Sequence, residues 1–197
     1  IKDRNPDVRR AAALSLGEME GAQAAEVLSS ALADEDQRVR NAAATSLTRM
    51  GSLSVPSLIK ASESDNPAVR KIAVETLGDI GDPKAVPSLI EKLMDASVWQ
   101  AAIEALGRIG TPALEPLIVV LYQDNQQMFS GAQEAIVKIG RPAVPAMIEL
   151  LSEESPIIRQ TAVQILGDIG DERALEPLIN VLKRDESDQV RAYAAQA

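Results

Sequence analysis

The sequence contains no cysteine and no histidine. Without cysteine there is no disulfide, thiol nucleophile or thiolate metal site, and without histidine the commonest metal ligand and general base are missing. Carboxylates are plentiful, but none stands beside a His, a Cys or a glycine-rich phosphate loop, so the expectation is no catalytic set, no metal and no cofactor. No run approaches 18 apolar residues and no charged-then-apolar leader precedes the first helix, so neither a membrane span nor a secretory signal is expected. Together with the missing cysteine this fits a cytoplasmic protein. Basic residues are also outnumbered, 20 against 29 acidic, for a net charge of −9. Nucleic-acid binders normally present a basic face, which argues against a nucleic-acid partner. Aromatics are scarce at 2% of the chain, with one Trp, two Tyr and one Phe.

What is abundant is repetition. The segment L-G-D-I-G-D occurs as Leu77–Asp82 and again as Leu166–Asp171. A large apolar residue three before an Ile or Met recurs at Leu16, Leu47, Leu77, Leu106, Ile136 and Leu166, successive copies lying 29 to 31 residues apart. Glycine follows the Ile or Met in every copy but the first, which reads Met19-Glu20. Each unit reads as two helices. The first opens with proline, in V-P-S-L from Val86, E-P-L-I from Glu115, V-P-A-M from Val144 and E-P-L-I from Glu176, because proline's missing N–H has no partner to lose in a first turn. Its apolar stripe joins Leu28, Leu58, Leu89, Leu117, Met147 and Leu178 to Leu32, Ser62, Leu93, Leu121, Leu151 and Leu182, four residues on.

The second helix starts near Val8, Val39, Val69, Val98, Met128, Ile158 and Val190, with caps expected at Asp36, Asn66 and Asp124-Asn125. Ala12, Ala43, Ala73, Ala102, Ala132, Ala162 and Ala194 form an unbroken small column, which predicts close approach of a neighbouring backbone. The closing glycine is the expected left-handed residue that ends the helix, so LGDIGD is no phosphate cradle. No window alternates like a strand, and the architecture is all-α: about twelve helices in six pairs. One pair cannot bury a core alone, so the expectation is a single array over 1–197. The chain starts at Ile1 just ahead of a second helix and stops at Ala197 one residue before the leucine column recurs, as a piece cut from a longer array would.

The unit D-x-x-V-R-x-A-A-x-x-L-G-x-I-G-D, followed by A-V-P-x-L-I-x-x-L, resembles the HEAT-like repeat of phycobilisome-lyase type, which is shorter than the general HEAT period of about 40 to 47 residues. The resemblance covers the chain and implies a right-handed α-solenoid, a superhelix of about six repeats with ragged ends, whose second helices line the concave side. Metal-binding enzymes built on such repeats, deoxyhypusine hydroxylase among them, use His–Glu pairs, and with no histidine that branch is excluded.

In such an array the scaffold columns hold the fold and function lies in the columns that vary. On the second helices Glu75, Glu104 and Glu134 fall in one row beside Arg108 and Lys138. They read either as i, i+4 pairs on a solvated face or as an acidic ridge for a basic partner. Arg9, Arg40, Arg70, Arg159 and Arg191 follow the starting residue and read as a structural ladder between repeats, paired with Asp79 and Asp168 or with a carboxylate of the preceding repeat. That column breaks at Trp99 and Phe129, and with Tyr122 these gather three of the four aromatics. The turn before Trp99 is two residues shorter than most, and Gly131 stands where other copies have Ala11, Ala42 and Ala101. The aromatics either fill space left by repacking or form a hydrophobic anchor patch.

The composition and columns favour a non-catalytic scaffold that binds a partner protein or peptide along the ridge of second helices, with Trp99, Phe129, Glu75, Glu104, Glu134, Arg108 and Lys138 as candidate contacts. The resemblance supplies an alternative, a bilin lyase subunit or accessory factor that helps attach an open-chain tetrapyrrole to another protein. A third reading is a docking arm for the rest of its own longer chain.

Overall fold

A computed structural model describes residues 2–19 and 21–197. Ile1, where the chain enters ahead of a second helix, and Glu20, which takes the place of glycine in the first copy, lie outside the described residues. Among the described residues the secondary structure is helical, 13 α-helices with short 3-10 turns and no strand. The chain forms two compact units, Ile1–Ile109 and Gly110–Ala197. The first holds α1 (Pro6–Leu16), α2 (Ala22–Ser30), α3 (Gln37–Met50), α4 (Val55–Ala61), α5 (Pro67–Ile80), α6 (Val86–Glu91) and α7 (Trp99–Ile109). The second holds α8 (Thr111–Leu121), α9 (Gln126–Ile139), α10 (Val144–Leu150), α11 (Pro156–Ile169), α12 (Leu175–Arg184) and α13 (Asp188–Ala194). Even-numbered helices are the first members of the repeats and odd-numbered helices the second, α1 being a second helix without a first.

Within each unit the odd helices pack in a row, α1 on α3, α3 on α5 and α5 on α7, then α9 on α11 and α11 on α13, and each even helix lies against the odd helix that follows it. The first-helix stripe is buried from Leu28 through Leu178 except at half-buried Leu151, while Leu182 is exposed. Ala43, Ala73, Ala102, Ala132 and Ala162 are fully buried, whereas Ala12 is half-buried and Val8 exposed. Stripes in a stacked array are covered by neighbouring pairs, and α1 and α12 have a neighbouring pair on one side only.

Capping follows the sequence in most places. The side chains of Asp36, Asn66 and Asn125 accept from backbone N–H groups in the first turns of α3, α5 and α9. Asn125, not Asp124, is the cap of α9. The start of α8 differs from the sequence expectation at Glu115: the helix begins at Thr111, with Pro112 in its first turn and Pro116 inside. Gly110, at φ 76° and ψ −137°, turns the chain immediately before Thr111. The residues that make separate 3-10 turns in other repeats, Pro83–Ala85 and Arg141–Ala143, are here continuous with the helix. α12 likewise begins at Leu175, ahead of Glu176.

The two LGDIGD copies share one geometry. Their second glycines, Gly81 and Gly170, are left-handed at φ 70° and 64°, and the following Asp82 and Asp171 accept from the backbone N–H of Lys84 and Arg173. Gly51, Gly110 and Gly140 lack that aspartate and take positive φ with ψ near −135° instead. The first glycine of the motif has another role. A Cβ on Gly78 would lie 2.6 Å from the Cα of Ala105, so α5 and α7 touch backbone to backbone there.

The arginine column is a ladder, with partners other than those the sequence suggested. Each guanidinium Nη1 donates to the carbonyls six and five residues before it: Arg9 to Asp3 and Arg4, Arg40 to Asp34 and Glu35, Arg70 to Ser64 and Asp65, Arg159 to Glu153 and Glu154, and Arg191 to Asp185 and Glu186. Three of them also reach a carboxylate in the following repeat, Arg9 to Asp34, Arg70 to Asp95 and Arg159 to Asp185, each at 2.8 Å. In the Arg70 pair the Nε–H points off the line to Asp95, leaving an ion pair without a hydrogen bond through that nitrogen. Asp79 pairs instead with Arg108 at 2.7 Å, because it lies at the opposite end of its helix from the ladder.

Two expectations follow. Gly78→Ala should lower unfolding free energy by about 1–3 kcal/mol in urea titrations, through overpacking against Ala105, and adding Ala105→Gly should recover part of the loss. A neutral Gly78→Ala would contradict the close approach. The second concerns acid. The guanidinium of Arg159 holds Asp185 below the usual carboxylate range, as Arg9 does Asp34. A carboxylate whose pKa is depressed by folding contributes stability above its unfolded value of about 3.9 and loses it as pH falls through the folded value. Thermal unfolding of Asp185→Asn should show a lower Tm than wild type at pH 7, by the equivalent of about 3 kcal/mol for orphaning a largely buried Arg159, with the difference shrinking below about pH 4.

Candidate functional site

The ladder lapses at two positions, one in each unit. In the first unit the cause is turn length. Asp95 keeps both ladder duties, pairing with Arg70 and accepting from the N–H of Ser97 through Oδ1, but Ser97 directly precedes Val98. The carbonyls that a ladder arginine would hold therefore lie only four and three residues before position 99, and α7 begins at Trp99 itself. An arginine has nothing to tether there. Trp99 is half-buried in its place, and its indole N–H has no acceptor among the described residues.

In the second unit the turn keeps its full length and is closed differently. In five other turns a backbone N–H donates to a short side chain two residues earlier: Asn5 to Asp3, Asp36 to Asp34, Asn66 to Ser64, Ser97 to Asp95 and Ser187 to Asp185. Position 123 holds glutamine, and the N–H of Asn125 donates to the Gln123 backbone carbonyl at 2.9 Å. Gln123 O is one of the two atoms that a guanidinium at 129 would engage. Phe129 stands there, half-buried, and the space beside it remains open.

That space is a cleft of about 400 Å³ between the 122–125 turn and the start of α11, lined on its apolar side by Tyr122, Phe129, Ile157 and Ile158. Tyr122 is 53% exposed and Ile157 65% exposed. The Tyr122 hydroxyl lies beside Glu153, and desolvation together with that adjacent carboxylate pushes the phenol up from its ordinary pKa. Glu153 occupies the column of Asp34, Asp95 and Asp185. Those three have a ladder arginine; Glu153 has a phenol.

The remaining candidates lie on the second-helix faces. Glu75 is 3.8 Å from Lys71, and Glu104 is 3.7 Å from Arg108, which also binds Asp79. Glu18 and Arg49, in the same column as Asp79 and Arg108, pair at 2.6 Å. The first unit's ridge is thus cross-linked by exposed ion pairs worth little individually. In the second unit Glu134 is half-buried and Lys138 exposed. The structure brings Phe129 together with Tyr122 and Ile157, and it places Glu134 and Lys138 further along α9, away from that cleft's lining. Ile157 and Glu153 were not singled out from sequence. Ile157 had a signal: the same position reads Asp7, Arg38, Ala68, Ser97, Gln127 and Gln189 elsewhere, so one large apolar residue interrupts a polar or small column.

Among the described residues no group of His, Cys, Asp and Glu is placed to hold a metal ion, and no helix is long and apolar enough to cross a membrane. A search of curated proteins returns no match. Solved structures with similar folds include the complex of CpcE and CpcF of phycocyanin lyase from Nostoc sp. PCC7120, 24% identical over 99% of this chain and 91% of that one, TM-score 0.47. Human deoxyhypusine hydroxylase in complex with glycerol is 23% identical over 98% of this chain and 78% of that one, TM-score 0.45. The archaeal HEAT-like repeats protein from Thermococcus onnurineus NA1 is 11% identical over 100% and 96%, TM-score 0.46. The family model for HEAT repeats matches residues 1–57, 55–135 and 130–197. With every repeat covered by that match and the helix pairs in place, this chain belongs to the HEAT-repeat family.

Proposed function

We propose that this chain is a non-catalytic interaction scaffold that binds a partner protein or peptide on its second helices, with the cleft at the N-terminal ends of α9 and α11 as the anchor point. The observation that carries the reading is the cleft lined by exposed Tyr122 and Ile157 and half-buried Phe129, the last at a position where five other copies place a tethered arginine. Aromatic side chains at a concave site are the usual energetic centre of a protein interface. Repacking explains Trp99, whose turn is shortened; it does not explain Phe129, whose turn is not. The exposed ion pairs of Glu75, Glu104 and Arg108 are separate candidate polar contacts on the second helices of the first unit.

Ile157→Ser should leave the Tm nearly unchanged, because the side chain is largely in solvent, within about 0.5 kcal/mol for a surface substitution. Quantitative affinity capture from extract of the source organism should recover a protein with the wild type that Ile157→Ser loses. Identical captured sets, or a Tm collapse, would remove the cleft from the account. Titration with an open-chain tetrapyrrole should produce no change in the pigment's absorption spectrum; a saturable shift would favour the bilin-handling alternative.

A further inference from the structure

The scaffold reading leaves the partner's chemistry open, and the inference drawn from the ladder rests on that reading. Three arginines of the column end on a carboxylate of the next repeat at 2.8 Å. At Phe129 the cation is missing but the carboxylate is kept, as Glu153, and among the described residues no Lys or Arg forms an ion pair with it. The cation beside it, Arg159, is already committed to Asp185 and to the carbonyls of Glu153 and Glu154. Asp124 and Glu154 are exposed nearby, and the cleft lining contains no Lys or Arg. The apolar slot is joined through Tyr122 to Glu153, which lines the adjoining cleft with Glu154, Arg159 and Arg184 and whose counterparts Asp34, Asp95 and Asp185 each hold a ladder guanidinium.

We infer that the occupant is a basic segment of a partner protein, with a Lys or Arg side chain taking the missing ladder position at Glu153 and a neighbouring large apolar side chain lying against Phe129 and Ile157. An acidic segment would meet Asp124 in the slot, which no Lys or Arg lines, and Glu153 and Glu154 beside it; the cations lining Glu153's own cleft are Arg159, committed to Asp185, and Arg184. A second copy of the chain is disfavoured because each carries a net charge of −9. Desolvation of Glu153 on binding is offset only by an opposite charge, so the site selects for charge as well as apolar surface.

The test uses four fluorescein-labelled peptides of equal length, alternating Lys-Leu, Gln-Leu, Glu-Leu and Lys-Ser, titrated with the full chain in about 0.15 M salt, where long-range attraction is screened beyond roughly 8 Å, and read by fluorescence anisotropy. Lys-Leu should bind about tenfold or more tighter than Gln-Leu, with Glu-Leu and Lys-Ser weaker still. Glu153→Gln should bring Lys-Leu to the level of Gln-Leu, and Ile157→Ser should weaken both. If Gln-Leu binds wild type as tightly as Lys-Leu and Ile157→Ser weakens both, the cation inference falls while the scaffold reading stands. If Lys-Leu binds wild type, Glu153→Gln and Ile157→Ser alike, attraction is non-specific and the inference is overturned. Absence of binding by all four peptides overturns it as well, as does a dimer in sedimentation that Ile157→Ser dissolves, since the occupant would then be a second copy.

Discussion

A guanidinium that ties one repeat's turn to itself and then to the next repeat fixes the register of this protein at the N-terminal ends of its second helices. Each ladder arginine satisfies two turn carbonyls that have no helical partner, and in three repeats it neutralises a carboxylate one repeat on. The planar fork suits this double duty, since one edge serves the carbonyls and the other the carboxylate. The far ends of the same helices are held by a different device. There the helices approach until only glycine or a methyl group fits, as at Gly78 against Ala105, and the closing glycine reverses the chain through positive φ. Electrostatic tethers at one end and close contact at the other leave little freedom for a helix pair to rotate within its unit.

This division gives the departures their meaning. Trp99 follows from a local shortage of chain: with two residues removed from the turn, the carbonyls lie too near in sequence for an arginine to reach back to them. Phe129 sits after a turn of ordinary length whose Asn125 N–H has been redirected to the Gln123 carbonyl. An acceptor normally used by the ladder is thereby engaged, the arginine has lost part of its purpose, and an aromatic ring borders an open cleft. Glu153, in the column of Asp34, Asp95 and Asp185, meets the Tyr122 phenol where those three meet a ladder arginine.

The fold was largely legible in the sequence, because apolar columns, small columns and closing glycines repeat every 29 to 31 residues and each has one physical cause. Asp36, Asn66 and the left-handed glycines were readable for the same reason. The start of α8 was not, since Pro116 looks like a first-turn proline until Gly110 and Pro112 are seen to start the helix earlier. The ladder partners are not legible in the sequence because Asp34, Asp95 and Asp185 lie 25 or 26 residues after their arginines, across a repeat boundary where loop length varies. Aligned columns could show that Phe129 breaks a pattern. Only the structure shows that Phe129 and Tyr122 border one cleft with Ile157, and that Tyr122 meets Glu153.

The central claim is that the cleft exists because the ladder is missing one arginine, and restoring it tests this most directly. In Phe129→Arg the new guanidinium would face Glu153 from the position that Arg159 takes toward Asp185. Thermal unfolding and Lys-Leu peptide binding measured on the same sample give the answer. The account predicts a higher Tm with binding lost, because an internal cation occupies the site of the partner's. A lower Tm with binding retained would contradict it, showing that Phe129 is core and that Glu153 was never half of a ladder pair.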